Sequence, residues 1–330
     1  MELLLEVKSV CSAVFLDVAQ AFDKVWHDGL VKKLRSILPP DFCDILESYL
    51  TERFFRVKQE NCYSSLQPIN AGVPQGSILG PTLYVLYTFD IPTPANSTIA
   101  TFADDTAILT VADTEQESTQ LLQNAVDEIA NWTKKWKIGL DNTKSLHIDF
   151  TNKKITYLPV SVLGNQIPHS NTAKYLGMTL DAKLRWKEHI KIKKDELEIK
   201  LRNLHWLMGR NSTLSTHCKL ALYNYVLKPV WTYGAQLWGC AKKSNVEVLQ
   251  RFQNKVLRNI VNAPWYVRNS DLHRDLKVPT VSMEIAKLAG AHHGRLCQHT
   301  NEEASRLLHT SGQIRRLQRT KPFELIVQNQ

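Results

Sequence analysis

At two separated places in the first part of the chain, apolar and β-branched residues follow the period of two that is typical of strands. Residues 13–18 form such a run and predict a strand that ends near Asp17. Residues 98–111 predict two more short strands, with Asp104 and Asp105 at the bend between them. The same period returns from residue 144 to residue 180, where further strands are expected.

Between these strands, apolar residues recur every three or four positions and predict helices. The first predicted helix follows the strand directly and ends at the two prolines 39–40, and Asp41 is placed to cap the second. A third helix is expected from Ile78 to about residue 89, after a loop rich in glycine and proline. The sequence TEQE at residues 114–117 is a capping box and predicts a fourth, long helix.

After residue 181 the pattern changes to basic amphipathic helices, which are predicted at about 186–208, 215–240, 244–262 and 281–309. Together the two patterns indicate an α+β region followed by an all-helical region. We therefore divide the chain into three regions, 1–181, 182–262 and 263–330.

The composition is that of an ordinary globular chain, with 43% hydrophobic and 22% charged residues among 330. Six scattered cysteines without a CxxC pair suit reduced thiols inside a cell better than a disulfide framework. The first ten residues make a poor signal peptide, and no run approaches the roughly 18 apolar residues of a membrane span. We expect an intracellular protein without a membrane partner.

Charge is distributed unevenly along the chain. Residues 1–180 carry 15 Lys and Arg against 20 Asp and Glu, a net charge of −5, whereas residues 181–330 carry 26 against 12, a net charge of +14. An acidic first part and a basic second part suggest a metal site followed by a surface for a polyanion. The basic charge could equally serve only to keep a helical domain in solution.

Three carboxylates are the candidate chemistry. An Asp-Asp pair at a hairpin bend is by itself more often a solvated tip than a site, but Asp17 lies at the end of a similar apolar strand. If the strands are neighbours, Asp17, Asp104 and Asp105 converge at one end of a sheet, and their mutual repulsion favours bound magnesium or manganese. Two such ions about 3.5–4 Å apart can activate a 3′-hydroxyl and stabilise a leaving pyrophosphate.

Two features near these acids have alternative interpretations. The ring of Phe22, five residues past Asp17, could pack under a sugar and exclude a 2′-hydroxyl, or could be a core aromatic. The backbone at Gln75 and Gly76, in the loop of residues 71–77, could approach a substrate closely. As an isolated PQG sequence, however, it indicates only a turn.

Five segments resemble, in order, motifs A to E of the reverse transcriptases of non-LTR retrotransposons. They are Phe15–His27 for motif A, Gly72–Pro81 for motif B, Phe102–Asp105 for motif C, Asn142–Ser145 for motif D and Tyr175–Gly177 for motif E. Leu227–Gly239 and Ala263–Val267 are also similar to jockey-type elements of insects. The resemblance therefore covers nearly the whole chain.

This resemblance implies a polymerase palm, a ferredoxin-like antiparallel sheet with helices, followed by a helical thumb and a C-terminal helical extension. The implied activity is RNA-directed DNA synthesis with two Mg²⁺ ions (Mn²⁺ is an alternative), an RNA template, a DNA primer and deoxynucleoside triphosphates. The implied site residues are Asp17, Asp104 and Asp105 as metal ligands, Phe22 as the gate that selects deoxynucleotides, Gln75 and Gly76 in the template and nucleotide pocket, Lys144 as the proton donor to pyrophosphate, and Tyr175, Leu176 and Gly177 as the primer grip.

The chain departs from the family pattern at its beginning. Only sixteen residues precede Asp17, whereas the family carries fingers and, in elements of this type, an endonuclease upstream. We expect a fragment or an N-terminally truncated copy, and two hypotheses stay open. The chain is either a polymerase module or a non-catalytic remnant that only binds nucleic acid. A location in the nucleus or cytoplasm is implied by the family's life cycle alone.

Two further groups of side chains are interpreted as structural. Four tryptophans could stack on bases, but their helical neighbours favour positions in the core; they are Trp206, Trp231, Trp238 and Trp265. Residues 292–299, HHGRLCQH, lack a paired cysteine knuckle and are interpreted as a helix surface rather than a zinc site.

Overall fold

The strand predicted at residues 13–18 is an inner strand of a four-stranded antiparallel sheet. The structure, a computed structural model, describes residues 9–154, 156–308, 320–322 and 324–325. These residues form two compact units, the first ending at Leu176 and the second beginning at Gly177. The division of the chain at residues 181 and 262 stays a prediction.

Twelve strands and four helices cover the described part of the first unit and the start of the second. The strands are β1 (Val10–Leu16), β2 (Phe54–Phe55), β3 (Lys58–Gln59), β4 (Cys62–Tyr63), β5 (Gln67–Pro68), β6 (Ser97–Phe102), β7 (Asp105–Ala112), β8 (Leu146–Phe150), β9 (Ser161–Val162), β10 (Asn165–Gln166), β11 (Thr172–Tyr175) and β12 (Met178–Asp181). The helices of the first unit are α1 (His27–Leu34), α2 (Pro40–Leu50), α3 (Leu79–Thr88) and α4 (Glu115–Lys135).

The main sheet has the strand order β6–β7–β1–β8, and each neighbouring pair is antiparallel. Leu16 at the end of β1 pairs with Thr106 of β7, and Phe15 pairs with Leu146 of β8. All seven residues of β1 are buried, as expected for an inner strand that is covered on both faces. The mixture of sheet and helices confirms the α+β prediction.

Helix α4 covers one face of the sheet. Leu16, Ile108 and Ile129 are buried together between the sheet and this helix, and each such side chain stabilises the fold by about 1.5–3 kcal/mol. The side-chain oxygen of Thr114 accepts a hydrogen bond from the N–H of Glu117 at 3.3 Å. The predicted capping box therefore begins this helix.

A second hydrophobic cluster joins α1, α2 and α3. Leu30, Leu83, Tyr84 and Trp136 are buried in it, and Phe22 packs against it while remaining half-buried. Helix α3 confirms the helix predicted from Ile78. Because α3 follows the loop of residues 71–77, this cluster fixes the position of that loop next to Phe22.

The first helix begins later than predicted. It starts at His27, and residues 19–24 form turns, so Phe22 lies in a loop. Two N–H groups of the loop 71–77 donate hydrogen bonds to the carbonyl oxygens of Phe22 and Val25, both at 2.8 Å. Tertiary hydrogen bonds therefore use carbonyl groups that a longer helix would have needed.

The prediction that Asp41 caps the second helix is wrong. Pro39 occupies the N-cap position of α2 and Pro40 is its first residue, and no side chain in the described part of the chain caps the helix. Proline suits this first position because its missing N–H would have no partner there. Asp41 lies within the first turn, where a carboxylate interacts favourably with the helix dipole.

The strand pair predicted over residues 54–70 is confirmed as two nested antiparallel ladders. Strand β2 pairs with β5, and β3 pairs with β4. The hairpin predicted at residues 98–111 is also confirmed, since β6 and β7 pair from Ser97 with Thr110 to Phe102 with Asp105.

The second unit is helical after β12. Its helices are α5 (Lys187–Asn203), α6 (His205–Met208), α7 (Thr216–Leu222), α8 (Lys228–Thr232), α9 (Ala235–Trp238), α10 (Lys243–Ile260), α11 (Asn269–Asp275), α12 (Val281–Cys297) and α13 (Glu302–Arg306), with a π-helical turn at Tyr223–Leu227. Within the described residues, no helix is both long enough and apolar enough to pass through a bilayer.

The single helix predicted at 215–240 is wrong, because the structure breaks it into α7, the π-helical turn, α8 and α9. Pro229 lacks the N–H that a continuous helix needs, and Gly234 has a φ of +64°. Helix α11 was not predicted. The helix predicted at 281–309 ends at Cys297 and resumes only at 302–306, and residue 309 lies outside the described residues.

The interpretation of the four tryptophans as core residues is correct for two of them and wrong for the others. Trp231 and Trp238 are fully buried, whereas Trp206 is 74% exposed and Trp265 is 88% exposed. Helical periodicity places a residue on a face, but it does not say whether another element covers that face.

Candidate active site

Strand pairing brings Asp17 and Asp105 next to each other. Leu16 is opposite Thr106 in the antiparallel register. Asp17, which follows Leu16, is therefore level with Asp105, which precedes Thr106. Successive residues of a strand point to opposite faces. Asp17 therefore belongs to the face of Phe15, away from the core under α4 that contains Leu16.

The three predicted carboxylates form one electrostatic group at the end of the β6–β7 hairpin. Burial raises the pKa of Asp105, and the negative charges of Asp104 and Asp17 raise it further. Burial also raises the pKa of Tyr84, with an added contribution from the charge of Asp104. All three acids are half-buried. A concentrated negative charge made of carboxylate oxygens fits hard divalent cations.

The carboxylate oxygens of Asp17, Asp104 and Asp105 are less tightly grouped than the potential metal ligands of a second cluster in the same sheet. Within the described residues, only His147, Asp149 and His169 bring three potential ligand atoms within 4.8 Å of one another. The ligand atoms of Asp17, Asp104 and Asp105 are not all within this distance of one another. The backbone brings the three aspartates to one end of the sheet, and the side chains remain apart.

Lys144 lies beside Asp17. Its ammonium Nζ is 3.7 Å from Oδ2 of Asp17 and 3.4 Å from Oδ2 of Asp141. Hydrogen bonds hold its loop against the strand end, because the N–H of Asp141 donates to the carbonyl oxygen of Asp17 at 2.9 Å and Ser145 Oγ accepts from the N–H of Asp17 at 3.3 Å. Since the side chain of Lys144 is 68% exposed, these ion pairs contribute little stability and the ammonium remains accessible.

The carboxylate of Asp141 shapes this loop as well as pairing with Lys144. A hydrogen bond from the Thr143 hydroxyl, at 2.6 Å, is the main reason that the pKa of Asp141 is lowered, and the neighbouring N–H groups lower it further. An aspartate that accepts hydrogen bonds from the backbone two and three residues later is a typical turn former. The sequence reasoning missed Asp141, although this local pattern could have identified it.

The loop of residues 71–77 is docked on the segment that follows Asp17. The amide Nε2 of Gln75 donates to Oδ1 of Asp23 at 2.8 Å. Gly72 has a φ of +92°, and a Cβ there would lie 2.7 Å from the carbonyl oxygen of Asp23, so this close approach requires glycine. Gly76 also has a positive φ, +82°, but no atom of a described residue lies within 4 Å of the place a Cβ would take.

The ring of Phe22 has a fixed support. It stacks on the ring of Tyr84, with centroids 4.9 Å apart and an angle of 27° between the planes. Tyr84 is only 2% exposed and belongs to the cluster around α3. Sequence reasoning missed Tyr84 because its position on the apolar face of α3 indicated an ordinary core residue.

Tyr175 lies on the same face of the sheet as Asp17. Its hydroxyl donates to the carbonyl oxygen of Ala100 in β6 at 3.2 Å, and its ring centroid is 5.1 Å from that of Phe15. Burial raises the pKa of Tyr175, and the charge of Asp105 adds to this effect. Leu176 ends the first unit and Gly177 begins the second, and both have positive φ angles.

Comparison with known proteins agrees with the motifs. The family described as reverse transcriptase (RNA-dependent DNA polymerase) matches residues 2–180. The chain is 40% identical over 327 residues to a probable RNA-directed DNA polymerase from transposon X-element of Drosophila melanogaster, covering 98% of this chain and 36% of the relative. It is 39% identical over 311 residues to the RNA-directed DNA polymerase from mobile element jockey of the same species, covering 92% and 34%.

The solved structures that match the chain include telomerases of two Candida species. Telomerase from Candida tropicalis, in complex with a fragment of telomeric RNA, is 13% identical with a TM-score of 0.41, covering 94% of this chain and 50% of that one. Telomerase from Candida albicans is 10% identical with a TM-score of 0.43, covering 82% and 51%. The chain spans about a third of the length of the transposon relatives that it matches.

Proposed function

The chain belongs to the reverse transcriptase family, and from this premise we propose that it is the polymerase module of a non-LTR retrotransposon enzyme. In this role it transfers nucleotides from deoxynucleoside triphosphates to the 3′-hydroxyl of a DNA primer, along an RNA template. The observation that carries the proposal is the β1–β7 register, which makes Asp17 and Asp105 neighbours beside the Asp104 bend.

Enzymes of this family use divalent metal ions, and we propose Mg²⁺, with Mn²⁺ as a substitute, held by Asp17, Asp104 and Asp105. When bound, such ions activate the 3′-hydroxyl and stabilise the leaving pyrophosphate. The raised pKa of Asp105 supports this assignment, because its neighbours' negative charges are part of the cause and divalent cations would offset them.

Lys144 is proposed to donate a proton to the leaving pyrophosphate. Its ammonium lies 3.7 Å from the Asp17 carboxylate, close to the atoms that would react. The turn around Asp141 keeps the ammonium near the acids without burying it. A proton donor at this position can neutralise charge as it develops on the leaving group.

Phe22 is proposed as the gate that selects deoxynucleotides. Because its ring rests on the buried Tyr84, it cannot easily move away from a 2′-hydroxyl. Gln75 and Gly76, in the loop docked on Asp23, would line the template and nucleotide pocket. Tyr175, Leu176 and Gly177 would contact the primer on the face that carries Asp105.

The remaining assignments follow the same proposal. Residues 1–181 would be the palm, residues 182–262 a thumb that binds phosphates, and residues 263–330 a helical extension. The net charge of +14 after residue 180 suits binding to RNA and DNA backbones that weakens as salt is added. The site of action would be the nucleus, the cytoplasm or both.

Primer extension on an RNA template with Mg²⁺ tests the proposal. The wild-type chain is compared with Asp104→Ala, and with Glu128→Ala as a matched control that removes an exposed acid of α4. We expect synthesis by the wild type and the Glu128 variant but none by Asp104→Ala. If all three proteins bind the RNA equally and none extends the primer, the chain only binds nucleic acid and the polymerase proposal is wrong.

A further inference from the structure

Three potential metal ligands lie together on the face of the main sheet opposite Asp17. His147 and Asp149 are two residues apart in β8, so their side chains point to the same face. They pair with Val14 and Ser12 of β1, whose side chains lie on the face opposite that of Asp17. His169 is brought beside them by a parallel bridge to His147.

The backbone fixes the distance between the two histidines. The N–H of His147 donates to the carbonyl oxygen of Pro168 at 2.8 Å, and the N–H of Ser170 donates to the carbonyl oxygen of His147 at 2.9 Å. These two bonds flank His169 on both sides. The cluster is therefore preorganised by the sheet and does not depend on a flexible loop.

The side-chain geometry suits a small metal ion. Nε2 of His147 is 3.3 Å from Oδ1 of Asp149, and Nε2 of His169 is 3.2 Å from Oδ2 of the same carboxylate. Ligand atoms bound at about 2.0–2.1 Å in a tetrahedral zinc site are separated by roughly 3.3 Å. The hydroxyl of Ser12 donates to Oδ1 of Asp149 at 2.5 Å, as an outer hydrogen bond that orients a metal ligand does.

His147 is the least satisfied member of the cluster. Its side chain is fully buried. Within the described residues its Nδ1 has no hydrogen-bond partner, and its Nε2 lies 3.3 Å from Oδ1 of Asp149. Buried polar atoms without a partner are rare and costly, and a bound ion is one of the few explanations for them. Nε2 of this ring points toward the carboxylate of Asp149, at the centre of the cluster.

The carboxylate of Asp149 is ready to act as a ligand. Burial by itself would raise its pKa, but the two histidines and the hydroxyl of Ser12 lower the pKa on balance. Both oxygens of this carboxylate face an imidazole nitrogen, at 3.3 Å for His147 and 3.2 Å for His169.

We propose that His147, Asp149 and His169 bind one first-row divalent ion of the zinc class. Two imidazoles and one carboxylate are a common donor set for such ions, whereas magnesium prefers oxygen ligands alone. A fourth position can face the surface groove beside His169, which is lined by Tyr157, Gln166, Ile167, Pro168 and His169. The bound ion would tie residues 165–170 to β8.

Zinc titration of the tag-free chain tests the proposal, with a chromophoric chelator as competitor and cobalt(II) absorption as a second readout. We expect one tightly bound equivalent per chain. His169→Gln, whose native side chain is 25% exposed and so should be replaceable without unfolding, should weaken binding by at least ~100-fold. Ser12→Ala should weaken it by about 10- to 100-fold, as is typical when an outer hydrogen bond is lost.

Two matched controls exclude other zinc ligands. His293→Gln removes the surface pair in which Nδ1 of His293 lies 3.6 Å from Sγ of Cys297, and Asp17→Asn removes one of the three acids on the other face. Both variants should bind zinc as the wild type does, and zinc should raise the midpoint of thermal unfolding in both but not in His169→Gln.

Two results would overturn the proposal. In the first, the folded wild type binds no zinc at micromolar concentration, and the cluster is then a hydrogen-bonded His–Asp–His network. In the second, the wild type and His169→Gln, both folded by circular dichroism, bind zinc equally. Polymerase activity enters none of these measurements, so this inference stands or falls separately from the proposed function.

Discussion

The two faces of one sheet carry two clusters of ionisable side chains, and burial decides what each can do. On one face Asp17, Asp104 and Asp105 are half-buried acids near the end of a hairpin, where the proposed nucleotide and its ions would bind. On the other face His147 and Asp149 are buried, and His169 is the member that reaches the surface. Oxygen ligands at an open end suit an ion that keeps water and binds phosphate, whereas mixed nitrogen and oxygen ligands in the interior suit an ion with a structural role.

The difference arises from strand alternation along β1. Leu16 and Asp17 are adjacent in sequence but belong to opposite faces, and Ser12 shares the face of Leu16. One strand therefore contributes an acid to the open site and, five residues earlier, a hydroxyl to the buried cluster. The two sites are close in sequence and separated by the thickness of the sheet.

The largest expected effect is that two variants each lose a different activity, primer extension in one and zinc binding in the other. Asp17→Asn should lower kcat/KM for primer extension by at least ~1000-fold, because about 4 kcal/mol of transition-state stabilisation depends on the metal site, and it should leave zinc binding unchanged. Asp149→Asn should abolish tight zinc binding and retain most of the primer extension. Steady-state kinetics and zinc titration on the same preparations measure both.

Loss of both activities in either variant would contradict this separation. It would mean that the two faces are coupled through β1 or that the variant is unfolded. Circular dichroism distinguishes these two cases, since an unfolded variant also loses the helical signal.

A smaller effect is expected from glycine substitutions that act on the open face alone. Gly72→Ala places a methyl group 2.7 Å from the backbone oxygen of Asp23 and should displace the loop by about an ångström, which can cost ~100-fold in kcat/KM. Gly76→Ala has a similar positive φ without such a backbone contact among the described residues. It should cost about 1–2 kcal/mol of stability and less activity than Gly72→Ala. Equal losses of activity in the two variants would show that the contact at Gly72 is unimportant.

The smallest effect concerns a buried histidine of the second unit, His189. Its Nδ1 accepts a hydrogen bond from the N–H of Thr179 at 3.2 Å. Burial, with a contribution from Lys193, lowers the pKa of His189 to about 4. The unfolded chain takes up this proton near pH 6.5 and the folded unit only near pH 4, so stability should fall between these values as the pH is lowered and then level off.

At pH 5.5 this difference amounts to about 1.4 kcal/mol, or roughly tenfold in the folding equilibrium. Urea unfolding followed by tryptophan fluorescence measures it, because Trp186 and Trp238 lie 6.1 and 6.3 Å from the His189 ring. His189→Gln should remove the dependence in this window, and His205→Gln, an exposed control, should retain it. An unchanged slope in the His189 variant would assign the pH dependence to other groups.

The open site could be predicted from sequence because its parts are local patterns. Each acid ends an apolar run, and the pattern of residues 13–18 predicts a buried strand without knowledge of its partners. The pairing of β1 with β7 was only a condition of that prediction, because a hairpin pattern does not say which strand lies beside it, and the structure shows this pairing. Where the local pattern competed with tertiary contacts, as at residues 19–24, the prediction of a helix was wrong.

The buried cluster could not be predicted in the same way. His147 and Asp149 alternate with Leu146 and Ile148, a pattern that indicates a polar, solvated strand face. Helix α4 and the packing of residues 167–170 against β8 turn that face into an interior, and His169 has no sequence signal that links it to His147. Trp265 is the converse case, an aromatic residue that was interpreted as core and is exposed.

The shared strand has a consequence for insertions and deletions. Removing one residue from the middle of β1 would shift its pairing by one position relative to β7 and β8 and turn every following side chain over. Asp17 would then take the place of Leu16 in the hydrophobic core beside Leu122, and Val18 would take the place of Asp17 at the end of the sheet where the proposed metal site lies. Under the proposed function, related chains that differ in length within residues 11–16 should therefore be inactive, however well their motifs are preserved.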